Sequence, residues 1–313
     1  YMGADQAADG SQYAQGSRES AALKMYCDHT TGTLLLEGDE ARRRHLQQWG
    51  AVTDKPVALH AEGETLAALL RLVRETGVRA HFCHVSMASE LAALRAAKAD
   101  GLPISVGVTP HHLYLEAADR ERLGGFAMVK PPLKTTADRE ALWAGVLDGT
   151  VDTIESDHAP HTRAEKASAS PPFGLPGLET TMPLMITAMR ERGLTRDRLI
   201  ELLATNAQRI FGLVPPPDTY TLVDAEASYV ISDDDLRCSS GWSPYSGMRV
   251  WGRVVEVRIR GRVAFDGEEV LAQPRDGRRL LPCCCRSIAW PGDGRPRSSL
   301  APRPPPRTTG RSR

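Results

Sequence analysis

Side chains able to do chemistry recur at intervals along the first half of the chain: Lys24, His60, His84, His111 and Asp157 each lie in or just after a short apolar run. Imidazole and carboxylate suit Zn2+, and a zinc with an open coordination position lowers the pKa of its bound water from about 15.7 to about 7. Hydroxide is then available at neutral pH. The densest stretch is SDHAPH, 156–161. Here Asp157 can ligate a metal and hold a proton taken from water, while His158 and His161 can orient neighbouring groups. Pro160 stiffens the loop that presents them. A lone histidine at a strand end is more often a hydrogen-bonded core or surface residue than a ligand. It is the joint placement of two histidines, a lysine before them and an aspartate after them that points to a site.

The elements that must position these residues are legible from periodicity. Strands are expected at LKMY (23–26), VALH (57–60), AHFCH (80–84), ISVGV (104–108) and TIESD (153–157), alternating with helical patterns at about 39–49, 64–76, 87–100 and 135–148. Two more helices are expected at 178–192 and 195–211, with Thr195 as an N-cap and Gly77, Gly101, Gly149, Gly193 and Gly212 as stops. Such βα units fit either an open doubly wound sheet or a closed (β/α)8 barrel. Spacing alone does not decide. No GxGxxG or GxxxxGK[ST] follows a strand, and reactive residues at successive strand ends favour the α/β TIM barrel, whose strand ends converge on one face. An incomplete barrel over residues 1–213 would be followed by a small β domain, 214–273, in which FDG is a hairpin signal. Residues 274–313 are Arg/Pro-rich, lack periodicity and are expected to be disordered.

Composition narrows the function classes. The 313 residues include 39 Lys+Arg and 39 Asp+Glu and are 41% hydrophobic, an ordinary globular balance. No run approaches the roughly 20 apolar residues that span a bilayer, and YMGADQAADG lacks the regions of a signal peptide. A cytoplasmic protein with no membrane partner is expected. Cys27, Cys83, Cys238 and the adjacent Cys283, Cys284 and Cys285 show no CxxC spacing and read as reduced thiols. The zero net charge divides into +8 over 275–313 and −8 over 1–274. Because the basic end lacks aromatic interleaving apart from Trp290, no nucleic-acid role is expected.

Taken together, ALKMY, HAE (60–62), CHVS (83–86), TPHHL (109–113), SDHAPH and GLPGLETTMPL (174–184) resemble the dihydroorotases of the amidohydrolase superfamily. The similarity is strongest to the dihydroorotase domain of the animal multifunctional pyrimidine enzyme. It runs from about Tyr1 to Val270, and SDHAPH followed by GLPGLET is its most specific part. The resemblance implies zinc-dependent, reversible interconversion of N-carbamoyl-L-aspartate and L-dihydroorotate. It also implies two zinc ions bridged by a carbamate that CO2 forms on Lys24; without it, Lys24 reads as a buried lysine paired with a carboxylate. By the same resemblance, His60 and His84 bind one metal with Lys24, and Asp157 binds the other and shuttles the proton. Thr30 matches a threonine on a loop closing over substrate, and His161 a contact to the substrate carboxylate. Phe173 and Gly174 match the segment lying against the ring. Lys130 stands where the family commonly has Asn or Arg, keeping positive charge but losing the planar fork.

The family's first strand carries His-x-His, and no His-x-His occurs in this sequence. Tyr1-Met2-Gly3-Ala4 resembles the end of the third strand, so a barrel lacking its first two βα units is expected, as a fragment with little activity of its own. The small-molecule substrate class is accompanied by possible partners of two kinds: further copies of the chain, or a carbamoyltransferase. Rival readings are a hydantoinase or allantoinase, against which SDHAPH and GLPGLE speak, and a non-catalytic dihydroorotase-like subunit, disfavoured by retention of Lys24, His60, His84 and Asp157.

Overall fold

A computed structural model describes residues 1–277 and 280, apart from 31 and 33. Strands β1 (Met2–Gly3), β2 (Leu23–Tyr26), β3 (Val57–His60), β4 (Ala80–Phe82), β5 (Ile104–Val108) and β6 (Thr153–Ile154) form one parallel sheet in sequential order. The intervening helices are α1 (Tyr13–Glu19), α2 (Asp39–Val52), α3 (Gly63–Thr76), α4 (Ala88–Ala99), α5 (Pro110–Tyr114), α6 (Asp119–Leu123) and α7 (Thr136–Asp148). After β6 come α8 (Arg163–Lys166), α9 (Leu178–Glu191), α10 (Arg196–Ile200) and α11 (Asn206–Phe211). Among the described residues no helix is long and apolar enough to cross a membrane.

Register explains why the sheet has two unlike faces. Parallel neighbours are Lys24 with Ala58, Tyr26 with His60, Ala58 with His81, His81 with Ser105, and Gly107 with Thr153. Side chains alternate along each strand, so these residues share one face. The opposite face holds Leu23, Met25, Val57, Leu59, Ala80, Phe82, Ile104, Val106 and Val108, all buried in the main core. The apolar stripes of the crossover helices, such as Leu66, Leu69, Leu72 and Val73 of α3 and Leu142 and Val146 of α7, cover it. The polar face is left to the site.

Two of the expected strands end early. The backbone leaves the extended region at His84, φ 39°, and at Asp157, φ 42°. Left-handed residues cannot continue a strand, so β4 stops at Phe82 and β6 at Ile154. The helix expected over 195–211 starts on Thr195, whose hydroxyl accepts the Arg198 N–H, but a π-helical turn at Glu201–Thr205 divides it into α10 and α11. Helices α1, α5, α6 and α8 were not expected; each has seven residues or fewer.

The small antiparallel sheet comprises β7 (Tyr220–Val230), β8 (Arg249–Ile259) and β9 (Arg262–Phe265). TYTLVD and ASYVIS form the single strand β7, interrupted by register shifts. FDG turns the chain back so that Phe265 bridges Val270. The sheet packs on α9: the Trp251 N–H donates to the Thr187 hydroxyl at 2.9 Å, and a Cβ on Gly252 would come within 2.6 Å of Ile186. Beyond Gly277, and apart from Leu280, the stretch expected to be disordered lies outside the described residues.

Candidate active site

A cavity of about 200 Å3 opens at the carboxyl ends of the parallel strands, lined by Lys24, Tyr26, Thr30, His60, His84, Val129, Lys130, Asp157, Ala159, Phe173 and Gly174. All four expected metal ligands and four of the five expected substrate residues therefore share one space. His161 sits behind the wall, where its Nε2 bonds the Phe173 carbonyl oxygen at 3.1 Å. It holds the wall in place from there.

His60 Nδ1 and His84 Nε2 lie 2.9 Å apart, their rings nearly edge to face. Burial, then the Lys24 charge, pushes His60 down to about 4 and His84 well below the ordinary histidine range. Both imidazoles are therefore neutral at pH 7, and each keeps its other nitrogen buried without a partner. Two neutral imidazole nitrogens at this separation suit one divalent ion; ligands at about 2.0–2.1 Å in tetrahedral geometry lie roughly 3.3 Å apart. The donor set fits zinc. Asp157 is raised to about 6 by burial and by Glu155, with Lys24 opposing, so its carboxylate can take up a proton near neutrality. For Lys24, burial works against the ammonium, but Cys83, Tyr26 and Glu155 outweigh it and hold the amine above its ordinary range. Its Nζ donates to Cys83 Sγ at 3.4 Å and lies 4.9 Å from the Tyr26 ring centre.

GLPGLE builds the wall around these groups. Gly174, at φ 140°, passes so close to the SDHAPH loop that a Cβ would be 2.4 Å from the Ala159 carbonyl oxygen. At Gly177 a Cβ would meet the Ser156 carbonyl at 2.7 Å. The Gly177 and Leu178 N–H groups, at the start of α9, donate to His158 Nδ1, which fixes the proton on Nε2. Glu179 accepts the N–H groups of Arg237 and Cys238, fastening that loop to α9. Lys130 Nζ stands 5.4 Å from the Phe173 ring centre.

The residues beneath the site were not anticipated. A ring nitrogen of His81, Cys83 Sγ and a Glu155 carboxylate oxygen lie within 4.8 Å of one another. Glu155 accepts from His81 Nε2, from the Thr153 hydroxyl at 3.2 Å and from the His84 N–H at 3.3 Å, which anchors the strained His84 backbone. The signal was available: His81 and Cys83, like Glu155 and Asp157, stand two apart at a strand end and so project from one face. Gly107 makes the space, since a Cβ there would lie 2.0 Å from Glu155 Oε1. Cys27, Cys83 and Cys238 are free thiols, as expected.

Comparison with known proteins follows the motifs. No family model matches the chain. It is 41% identical over 264 residues to the multifunctional protein pyr1-3 of Dictyostelium discoideum, covering 84% of this chain and 12% of that protein. It is 34% identical over 268 residues to a dihydroorotase of Geobacillus thermodenitrificans, covering 80% and 61%. In structure it matches a D-hydantoinase (dihydropyrimidinase) from Thermus sp. with a TM-score of 0.82 at 21% identity, over 90% of this chain and 72% of that one. The chain thus spans about an eighth of the multifunctional relative and three fifths of the dihydroorotase. By sequence the chain is similar to dihydroorotases, and its fold is that of the hydantoinases.

Proposed function

We propose that the chain carries the cyclic-amidohydrolase site of a dihydroorotase, which interconverts N-carbamoyl-L-aspartate and L-dihydroorotate in pyrimidine synthesis. The observation that carries this reading is the convergence of Lys24, His60, His84 and Asp157 on one cavity with Thr30, Lys130, Phe173 and Gly174. On this reading His60, His84 and a CO2-derived carbamate on Lys24 would hold one zinc, and Asp157 with that carbamate would hold a second. When bound, zinc supplies a Lewis acid and a hydroxide at neutral pH. Asp157 accepts the proton of the attacking water and returns it to the ring nitrogen as the amide bond breaks; cyclisation reverses the transfer. Lys130 attracts the substrate carboxylate, Phe173 and the Gly174 backbone lie against the ring, and Thr30, which also lines the cavity, closes over the substrate.

The six-stranded sheet is read as an arc of a (β/α)8 barrel whose first two βα units are not among these strands, with residues 1–213 as the barrel portion and 214–273 as the β domain. Association with other pyrimidine-synthesis activities, a carbamoyltransferase among them, and a cytoplasmic setting extend the proposal; the match to a multifunctional protein supports the first.

The test is a comparison of L-dihydroorotate, hydantoin and allantoin as ligands and substrates of the zinc-loaded chain. Dihydroorotate should bind tightest. Turnover by the 313-residue chain should be low, because the family's His-x-His is absent from its sequence. Preference for hydantoin or allantoin would overturn the ring assignment.

A further inference from the structure

Lys166, the last residue of α8, is wholly shielded from solvent and forms no ion pair among the described residues. Its Nζ instead meets three backbone carbonyl oxygens, those of Met128 at 2.8 Å, Pro172 at 2.8 Å and Gly174 at 3.0 Å. An ammonium has three N–H donors and no acceptor, so the three carbonyls satisfy it completely. Burying a cation with no counter-charge is costly, and so many converging carbonyls are not expected around a side chain that merely fills space. The Trp242 ring, 5.8 Å from Nζ, closes another side.

The three carbonyls belong to two separate segments. Met128 precedes Val129 and Lys130, and Pro172 and Gly174 flank Phe173; Val129, Lys130, Phe173 and Gly174 all line the candidate cavity. The same Met128 oxygen also accepts the Gly174 N–H at 3.0 Å, so one acceptor is shared between the backbone link and the lysine. Packing around the node is tight: a Cβ on Gly125 would stand 2.2 Å from the Lys166 carbonyl oxygen. The SDHAPH loop joins from the other side through His161 and the Phe173 carbonyl, and the Trp242 indole N–H bonds the His161 carbonyl at 2.7 Å.

We propose that Lys166 is a positioning residue of the substrate site, whose three-carbonyl clamp sets the separation between Lys130 and the Phe173–Gly174 backbone and thereby the fit of a carboxylated planar ring. It rests on the functional reading above. Lys166 touches neither the reacting groups nor the expected metal ligands in the hydrogen bonds it makes. It acts on binding through the wall it ties together. The loss of solvation lowers its pKa to about 8, so the clamp can also be loosened without mutation, since a neutral amine has one donor fewer.

Lys166→Met keeps the length and apolar stem while removing every donor. In the zinc-loaded chain, three quantities separate the cases: hydrogen exchange at the Gly174 amide, zinc affinity, and affinity for L-dihydroorotate. The expected result is at least tenfold faster Gly174 exchange and at least tenfold weaker dihydroorotate binding, with zinc affinity within twofold of the parent. Where turnover is measurable, KM rises and kcat holds. Unchanged exchange and unchanged dihydroorotate affinity would overturn the clamp, as would a loss of zinc affinity equal to the loss of ligand affinity. Should Lys166→Met fail to fold, the unmutated chain carries the test: protection of the Gly174 amide should fall as Lys166 loses its proton with rising pH, followed by the NMR shift of its own side chain, and protection that stays constant across that titration overturns the proposal. A parent that ignores dihydroorotate but shows the exchange response would sink the functional reading and leave the clamp standing.

Discussion

Replacing Gly174 by alanine should strain the wall of the cavity at one defined point. At φ 140° the backbone there is in a region L side chains rarely adopt, costing about 1–3 kcal/mol. The new Cβ would also stand 2.4 Å from the Ala159 carbonyl oxygen and 2.8 Å from Ala159 Cβ, so SDHAPH must shift; overpacking of this kind costs about 1–3 kcal/mol. Together the loss is about 2–6 kcal/mol. Unfolding entropy near 60 °C is about 2.1 cal/mol/K per residue, or ~0.6 kcal/mol/K over the roughly 280 described residues, so the melting temperature should fall by about 3–10 °C. Gly77→Ala is the control: Gly77 caps α3 in the left-handed region at φ 65° with nothing within 4 Å of its would-be Cβ. Its cost is backbone strain alone, roughly 1–2 kcal/mol, or about 2–3 °C. Calorimetric melts of both variants and the parent give the comparison, with dihydroorotate affinity measured alongside. If Gly174→Ala melts no lower than Gly77→Ala and binds ligand as the parent does, the wall is not held as described.

Three further outcomes are expected. Asp157→Asn removes the proton acceptor while keeping size and backbone tolerance, so hydrolysis of dihydroorotate should fall by about 10²- to 10⁴-fold with ligand binding largely kept; a loss under fivefold would take the proton transfer away from Asp157. Lys24→Ala should abolish turnover and weaken zinc binding at least tenfold; wild-type turnover would remove the carbamate from the mechanism. Acid should destabilise the fold through His112, which bonds the Thr109 hydroxyl and the Pro131 carbonyl and is pushed by burial down to about 4. Below pH 6.5 the unfolded chain binds the extra proton first, so up to ~3 kcal/mol present above pH 6.5 is lost as pH falls toward 4. Denaturant titrations of parent and His112→Gln should show that slope reduced in the variant; identical slopes would place the acid sensitivity elsewhere.

Much of the site was legible because a parallel sheet translates sequence order into spatial order. The LKMY, VALH and ISVGV strands form as read, and Lys24 and His60 of the first two line the cavity with His84 and Asp157, whereas His111, after ISVGV, does not line it. Strand length was less legible, since nothing in AHFCH or TIESD announces that His84 and Asp157 adopt left-handed backbone. His81, Cys83 and Glu155 carried only a partial signal in their spacing, because their association also depends on Gly107 opposite, a cross-strand fact absent from any single segment. Lys166 was invisible because its partners are main-chain carbonyls, which carry no side-chain signature. The dividing π turn in 195–211 likewise leaves the apolar period almost unchanged.

The positive φ angles at His84 and Asp157 also limit what this scaffold can become. Of the amino acids with a side chain, asparagine, aspartate and histidine enter that region most readily, while a β-branched residue there is a genuine outlier. At both positions, then, the backbone admits a short alphabet before chemistry is consulted, and it is an alphabet of metal ligands and their amide mimics. Drift or directed evolution toward a new ring or a new metal has little freedom at these two corners. It must proceed through Lys130, Thr30 and Phe173, whose backbone makes no such demand.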